Sequence, residues 1–271
     1  KLNMKLILFS GNHPRHLFVN RELLKYFDET LIVCMEREDV LPVAPKGLSS
    51  HDRSLFNRHF ENRYRVESNT YGDLKSREVF RDSKTLFVDS SELNTKTVAD
   101  EIKKFKADFC FIFGVNLILD PVIEELPADK VNLHLGLSPW YKGGATLFWP
   151  FYFLQPQFCG STFHQITKNA DAGEILHQCI PELKKGDKIH DVGAKCVLKA
   201  VEDLPLFFEK WLKDKKFVGK VQETSGRNWR GSDFHASQLR VIYDLFNDDI
   251  VDKYLEGKLN KQIPKIFSCL K

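Results

Sequence analysis

No two cysteines of this chain are spaced as Cys-x-x-Cys. The six it has, Cys34, Cys110, Cys159, Cys179, Cys196 and Cys269, are scattered. That leaves no zinc or dithiol motif, and no metal is expected. Several lie inside apolar runs (LIVC, FCFIF, FCGSTF), where a free thiol behaves as a small buried hydrophobe. Without a secretory leader, thiols of this kind predict a reducing, cytoplasmic setting. No apolar run approaches the roughly 18 residues of a membrane span. An excess of one charge is missing as well. Lys and Arg number 40 against 37 Asp and Glu, a formal net charge of +3. The two signs interleave, so no basic face for a nucleic acid can be read. Internal repeats and low-complexity tracts are absent.

What is present is enough chain for a large core. The 271 residues are 42% hydrophobic and include 22 Phe, which predicts one large, aromatic-rich domain with at most a small appendage. The first half alternates short apolar runs with helix-like segments. Strands are expected at 5–10, 30–34, 85–89, 108–113 and 130–134. Helical spacing marks 16–27, 51–66 (apolar points at Leu55, Phe56, Phe60 and Tyr64), 95–106 (Asn94 as N-cap) and a short turn at 121–126. Alternation of this kind, with strands apolar on both faces, argues an α/β fold. It is Rossmann-like, with an open, mostly parallel sheet and helices on both sides. Ligands of such sheets bind beyond the carboxyl ends of the strands.

The second half differs. The aromatic stretch 147–154 reads as a buried helix with Pro150 in its first turn. Strands follow at 160–167 and 174–183, then a long amphipathic helix at 191–212. We divide the chain into 4–212 and a small C-terminal subdomain over 213–271. In that subdomain 213–232 is a connection with one hairpin and 237–257 holds two short helices. The apolar stripe Leu239, Ile242, Tyr243 and Phe246 fits packing on the core or a homodimer contact.

Three features carry polar side chains where a core would not spend them. In VNLHLGLSPWYKGG, Asn132 and His134 point to the same side of a strand, because side chains alternate with period two. On a doubly buried strand such a pair needs partners or a purpose. A core histidine bonded to a carbonyl, with Asn132 capping a loop, serves as well as a site. Asp171, before Ala172-Gly173, reads as an ordinary turn aspartate or as part of that site. The loop Ser138–Gly144 is a plain connection or a substrate lid.

Taken together, the chain from about Phe109 to Gln178 resembles the catalytic core of the 10-formyltetrahydrofolate-dependent formyltransferases. The resemblance rests on NLH (132–134), LSPWYKGG (137–144), DAGEIL (171–176), 37 residues from His134 to Asp171, and the upstream FGVNLILDP (113–121). It departs from the family where the usual His-Pro-Ser is His134-Leu135-Gly136, and where the loop arginine is Lys142. The resemblance implies 10-formyltetrahydrofolate as co-substrate, with no metal and no covalent intermediate. It implies that Asn132 holds the formyl oxygen, that His134 donates to the oxyanion as an imidazolium, and that Asp171 keeps His134 charged and takes up the amine proton. It places the pterin against Phe113, Gly114, Val115, Leu117, Ile166, Asn169 and Ala170, with Ile118 as a further apolar wall.

The acceptor amine is less constrained. The turn Ser10-Gly11-Asn12-His13-Pro14-Arg15-His16 keeps Ser-Gly-Asn, and His13 and Arg15 could meet a phosphate at a helix start. A tRNA partner is disfavoured, because the short stretch after Leu212 includes Asp244, Asp248, Asp249 and Asp252. Resemblance to the sugar N-formyltransferase branch implies a nucleotide-linked amino sugar. Trp140, Tyr141, Lys142 and Gly143 would contact it, and Trp149 and Trp229 would be available for stacking. A glycinamide-ribonucleotide-like amine, hydrolysis of the formyl folate, and a non-catalytic binding module remain open at this point.

Overall fold

The computed structural model describes residues 4–36, 41–214, 216–224 and 226–270. The first half runs β1 (Lys5–Gly11), α1 (Pro14–Leu23), β2 (Glu29–Met35), α2 (Ser50–Tyr71), α3 (Ser76–Val79), β3 (Lys84–Val88), α4 (Lys96–Phe105), β4 (Phe109–Phe113) and β5 (Lys130–His134). Then come β6 (Lys142–Gly143), α5 (Trp149–Tyr152), β7 (Ser161–Gln165), β8 (Ile175–Cys179), α6 (Ile189–Asp214), β9 (Asn228–Trp229) and α7 (Ile250–Leu255).

The seven-stranded sheet has the order β3-β2-β1-β4-β5-β7-β8. The first five strands are parallel; β7 runs antiparallel to β5, and β8 to β7. This is the expected mostly parallel, Rossmann-like open sheet. The inner strands β1 and β4 are buried on both faces, which is why they read as unbroken apolar runs. On one face α1, α2 and α6 pack with Leu6, Leu8, Phe109, Phe111, Phe207 and Phe208. On the other, α4 presents Val98, Ala99 and Ile102 to Ile7, Phe9 and Cys110. Fully burying one such Phe contributes roughly 1.5–3 kcal/mol.

A third core joins the C-terminal segment to α2 and α6. Leu239, Ile242 and Tyr243 are buried there against Leu55, Phe56, Trp149 and Val192. Of the two readings of that stripe, the structure therefore takes packing on the chain's own core. Three local expectations are corrected. Asn94 is not the cap of α4. Thr95 stands at that position, and the Asn94 side chain instead bridges Leu117 O (3.0 Å) and Leu119 N (2.8 Å). Tyr64 is exposed rather than core, because α2 turns His59 and Glu67 inward beside Leu55 and Phe56. Among the described residues of 213–232 there is no hairpin, and β9 pairs in parallel with β6, from the loop after β5. Among the described residues no helix is long and apolar enough to cross a membrane.

Candidate active site

Asn132 and His134 sit at the carboxyl end of β5, between β4 and β7. The His134 Nε2 lies 2.9 Å from the Tyr141 carbonyl oxygen. A carbonyl only accepts, so Nε2 carries a proton and donates it there. That leaves Nδ1, which is 3.5 Å from Asp171 Oδ2, beyond good hydrogen-bond range. The departure from His-Pro-Ser has a steric reason at its third position. A Cβ on Gly136 would lie 2.5 Å from His134 Nε2, so the ring and the loop can approach only over a glycine.

Asp171 lies in the turn between β7 and β8 with φ +47°, a left-handed conformation uncommon outside glycine. Its Oδ2 accepts from the Gly143 N–H at 2.9 Å, and its Oδ1 is 3.1 Å from His164 Nε2. Burial alone would raise the carboxyl's pKa. The His134 charge, the bond and charge of His164 and the Gly143 N–H together hold it well below the usual carboxylate range. The turn's main chain is held from outside. Gln222 Nε2 donates to both Asp171 O (2.7 Å) and Gly173 O (2.8 Å). Gly173 is pressed so close to Gln165 that a Cβ would sit 1.8 Å from its carbonyl oxygen.

The loop after β5 is pinned rather than hinged. Gly143 is tied to Asp171, Gly144 N donates to Trp229 O at 2.7 Å, and Tyr141 N donates to Leu137 O at 2.9 Å. Three of its residues expected to contact the substrate stand elsewhere. Trp140 packs edge-on to Phe158, the Tyr141 hydroxyl donates to Gln155 Oε1, and Lys142 is buried. None of the three lines the cavity; Gly143 does. Trp149 and Trp229 are buried away from the cavity and stack on each other with centroids 3.9 Å apart.

The cavity beside Asn132, His134 and Asp171 has a volume of about 600 Å³. Phe113, Gly114, Val115, Leu117 and Ile118 line it from the loop after β4; Ile166, Asn169 and Ala170 line it from the loop after β7. A flat heterocycle with several donors and acceptors fits such walls of main chain and apolar side chains. His13 and Arg15 line it as well. Arg15 is already engaged, through Nη1 to Glu67 Oε1 (3.2 Å) and through Nη2 to His13 Nδ1 (3.2 Å).

Sequence reasoning missed His164, His59, Arg63, Glu67 and His190, all of which line the cavity. Two signals for them were there. His164 and Thr162 repeat on β7 the period-two polar pair of β5, and His164 faces Asn132 in register. His59, Arg63 and Glu67 recur at four-residue spacing along α2, which puts them on one face. The His59 and His190 rings lie 4.4 Å apart. Burial first keeps both in the neutral form, followed by the neighbouring His190 and then Arg63 for His59, and by Arg63 for His190, whose pKa falls to about 3. Outside the cavity, His177, Cys179 and Asp203 are spaced as metal ligands are. Both His177 nitrogens are taken, by Asp203 (2.9 Å) and by Ser268 Oγ (2.8 Å), and Lys199 sits on the carboxylate.

The family model described as formyl transferase matches residues 64–206. Several solved structures share the fold. A 4-N formyltransferase from Francisella tularensis aligns with 17% identity and a TM-score of 0.57, over 86% of this chain and 79% of that one. A phosphoribosylglycinamide formyltransferase from Anaplasma phagocytophilum aligns with 16% identity and a TM-score of 0.55, over 84% and 98%. An N-formyltransferase from Helicobacter canadensis, solved with folinic acid and dTDP-3-aminofucose, aligns with 14% identity and a TM-score of 0.54, over 97% and 84%.

Proposed function

We propose, from the premise that the chain belongs to the formyl transferase family, that it moves the formyl group of 10-formyltetrahydrofolate to the amine of a nucleotide-linked amino sugar. The observation that carries this reading is the meeting of Asn132, His134 and Asp171 at one cavity, with one set of lining groups apolar and another ionisable.

Formyl transfer to an amine passes through a tetrahedral intermediate. It needs a donor for the developing oxyanion and a path for one proton from the amine to the departing nitrogen. Asn132 supplies a side-chain N–H to the formyl oxygen. His134 works through Nδ1, because Nε2 is committed to Tyr141 O. As an imidazolium it stabilises the oxyanion and can then give its proton to the leaving nitrogen. Asp171 stays ionised, holds that charge in place, and relays the amine proton back to Nδ1 directly or through water. The pterin rests on Phe113–Ile118 and on Ile166–Ala170. His13 and Arg15, with Arg63 beside them, favour a phosphate on the acceptor. Support for the sugar comes from the Helicobacter canadensis protein, of similar fold, whose complex holds dTDP-3-aminofucose. The catalytic unit is 4–212. The appendage over 213–271 completes it, through Gln222 at the Asp171 turn and Phe234 in the cavity wall.

Incubation with 10-formyltetrahydrofolate, with and without a panel of nucleotide-linked amino sugars, tests the proposal by release of tetrahydrofolate. Release that requires an amino sugar supports it. Release without any amine would replace it by a hydrolase, and no release in either case by a binding module.

A further inference from the structure

His164 is buried on β7, in register with Asn132 on β5. Its Nδ1 lies 2.8 Å from the Gln165 carbonyl oxygen. Since that oxygen only accepts, Nδ1 carries a proton whatever the charge of the ring. The remaining question is whether Nε2 carries one too. Nε2 is 3.0 Å from Asn132 Nδ2 and 3.1 Å from Asp171 Oδ1. An amide NH2 only donates and a carboxylate only accepts. No single state of Nε2 can therefore bond both. Without a proton it accepts from Asn132 and leaves Asp171 unbonded on that side. With a proton it donates to Asp171, and Asn132 can meet it only by a half-turn that presents its amide oxygen.

We propose that His164 is a positioning residue, and that its Nε2 proton decides which end of the Asn132 amide is held and so gates formyl transfer. This rests on the role read above for Asn132. With Nε2 bare, one Asn132 N–H is anchored on the ring and the amide is fixed, so the second N–H is held for the formyl oxygen. With Nε2 protonated, the ring draws the amide oxygen to itself and competes with His134 for Asp171. The bare ring is the working state. The titratable groups that face His164, among the described residues, are Asp171 from the turn and His134 from β5, whose ring centroid is 6.5 Å away. From β8 its register partner is Ile175.

Two variants and one titration test this. His164→Gln can accept from Asn132 but cannot titrate. It should keep near wild-type kcat at about pH 8 and lack the acid-side ionisation expected in the wild-type kcat profile. His164→Leu should lower kcat by about tenfold to a hundredfold, with the KM of each substrate nearly unchanged. A purely structural role would lower both variants alike and leave the pH profile in place, which would overturn the gate. So would a His164→Leu variant with normal kcat. Nitrogen NMR of the wild-type ring needs neither variant nor activity. It should show Nε2 bare at about pH 8 and the Asn132 amide resonances moving with the same midpoint as the ring; an Nε2 protonated in the active enzyme overturns the proposal. Asn132→Ala with normal turnover would remove the role read for Asn132 and the gate with it. The other failures remove the gate alone.

Discussion

Phe113–Ile118 and Ile166–Ala170 line the cavity with main chain and apolar side chains, whereas His13, Arg15, His59, Arg63, Glu67 and His190 line it with ionisable groups. The two sets come from different parts of the architecture. The first belongs to the loops after β4 and β7, the two strands that flank β5 in the sheet. The second is gathered from the loop after β1 and the start of α1, from α2 and from the start of α6. A binding surface carried on strand ends is fixed by the sheet's hydrogen bonds. One carried on helices depends on how those helices pack. On the proposed reading the folate side is thus set by the sheet, and the acceptor side can vary without disturbing it. His16 touches both sets, with its ring 4.8 Å from Phe113 and 5.5 Å from His13.

The strongest challenge to this division strikes the residues that serve both sides. Asn132→Ala or His134→Ala should cost at least a hundredfold or so in turnover, in line with loss of one oxyanion donor, with the thermal melt retained. Near-normal turnover in either variant would remove the assignment. The next effect separates the sides. Arg63→Gln should raise the acceptor KM about tenfold, as loss of a charge-assisted contact does, and leave the folate KM unchanged. Gly114→Ala is expected to raise both constants. The glycine has φ +85° and a Cβ there would lie 2.4 Å from the His16 ring, so the change pushes on a residue that touches both sets. Equal effects of Arg63→Gln on both constants would break the comparison.

The smallest effect lies behind the ionisable set. Asp248 accepts from the Ile189 N–H at 3.1 Å, next to His190. Burial pushes its pKa up to about 6, against the pull of that N–H and of Lys188. The folded protein therefore keeps a proton that the unfolded chain gives up, and stability falls as pH rises from about 4 to about 6. Asp248→Asn cannot ionise, and Asn tolerates the left-handed backbone found there (φ +57°). It should match wild type near pH 4 and exceed it by about 1–2 kcal/mol above pH 6 or so, with both KM values unchanged. Melting curves across that range decide it.

The contrast between the two sets also explains what was legible in the sequence. The strands, the Asn132–His134 pair and the Asp171 turn could be read because each is contiguous and obeys a short period. The loops after β4 and β7 that line the cavity were legible for the same reason. The ionisable set was not, apart from His13 and Arg15, because its members meet only after α2 and α6 pack. The loop aromatics misled for a related reason. Trp140, Trp149 and Trp229 look available in sequence, but each finds an aromatic partner in the folded chain. The pairing of β6 with β9 involves two residues on each side, too few for any periodicity to show.

The clasp of Gln222 on the Asp171 turn has a consequence for the order in which the enzyme is made. That turn is complete in sequence by Gly173, yet the side chain that holds it arrives 49 residues later, after the whole of α6. Trp229, which pins Gly144, arrives later still. A nascent chain can therefore form its sheet before the Asp171 turn has been fixed in place, and before Phe234 has closed the cavity wall.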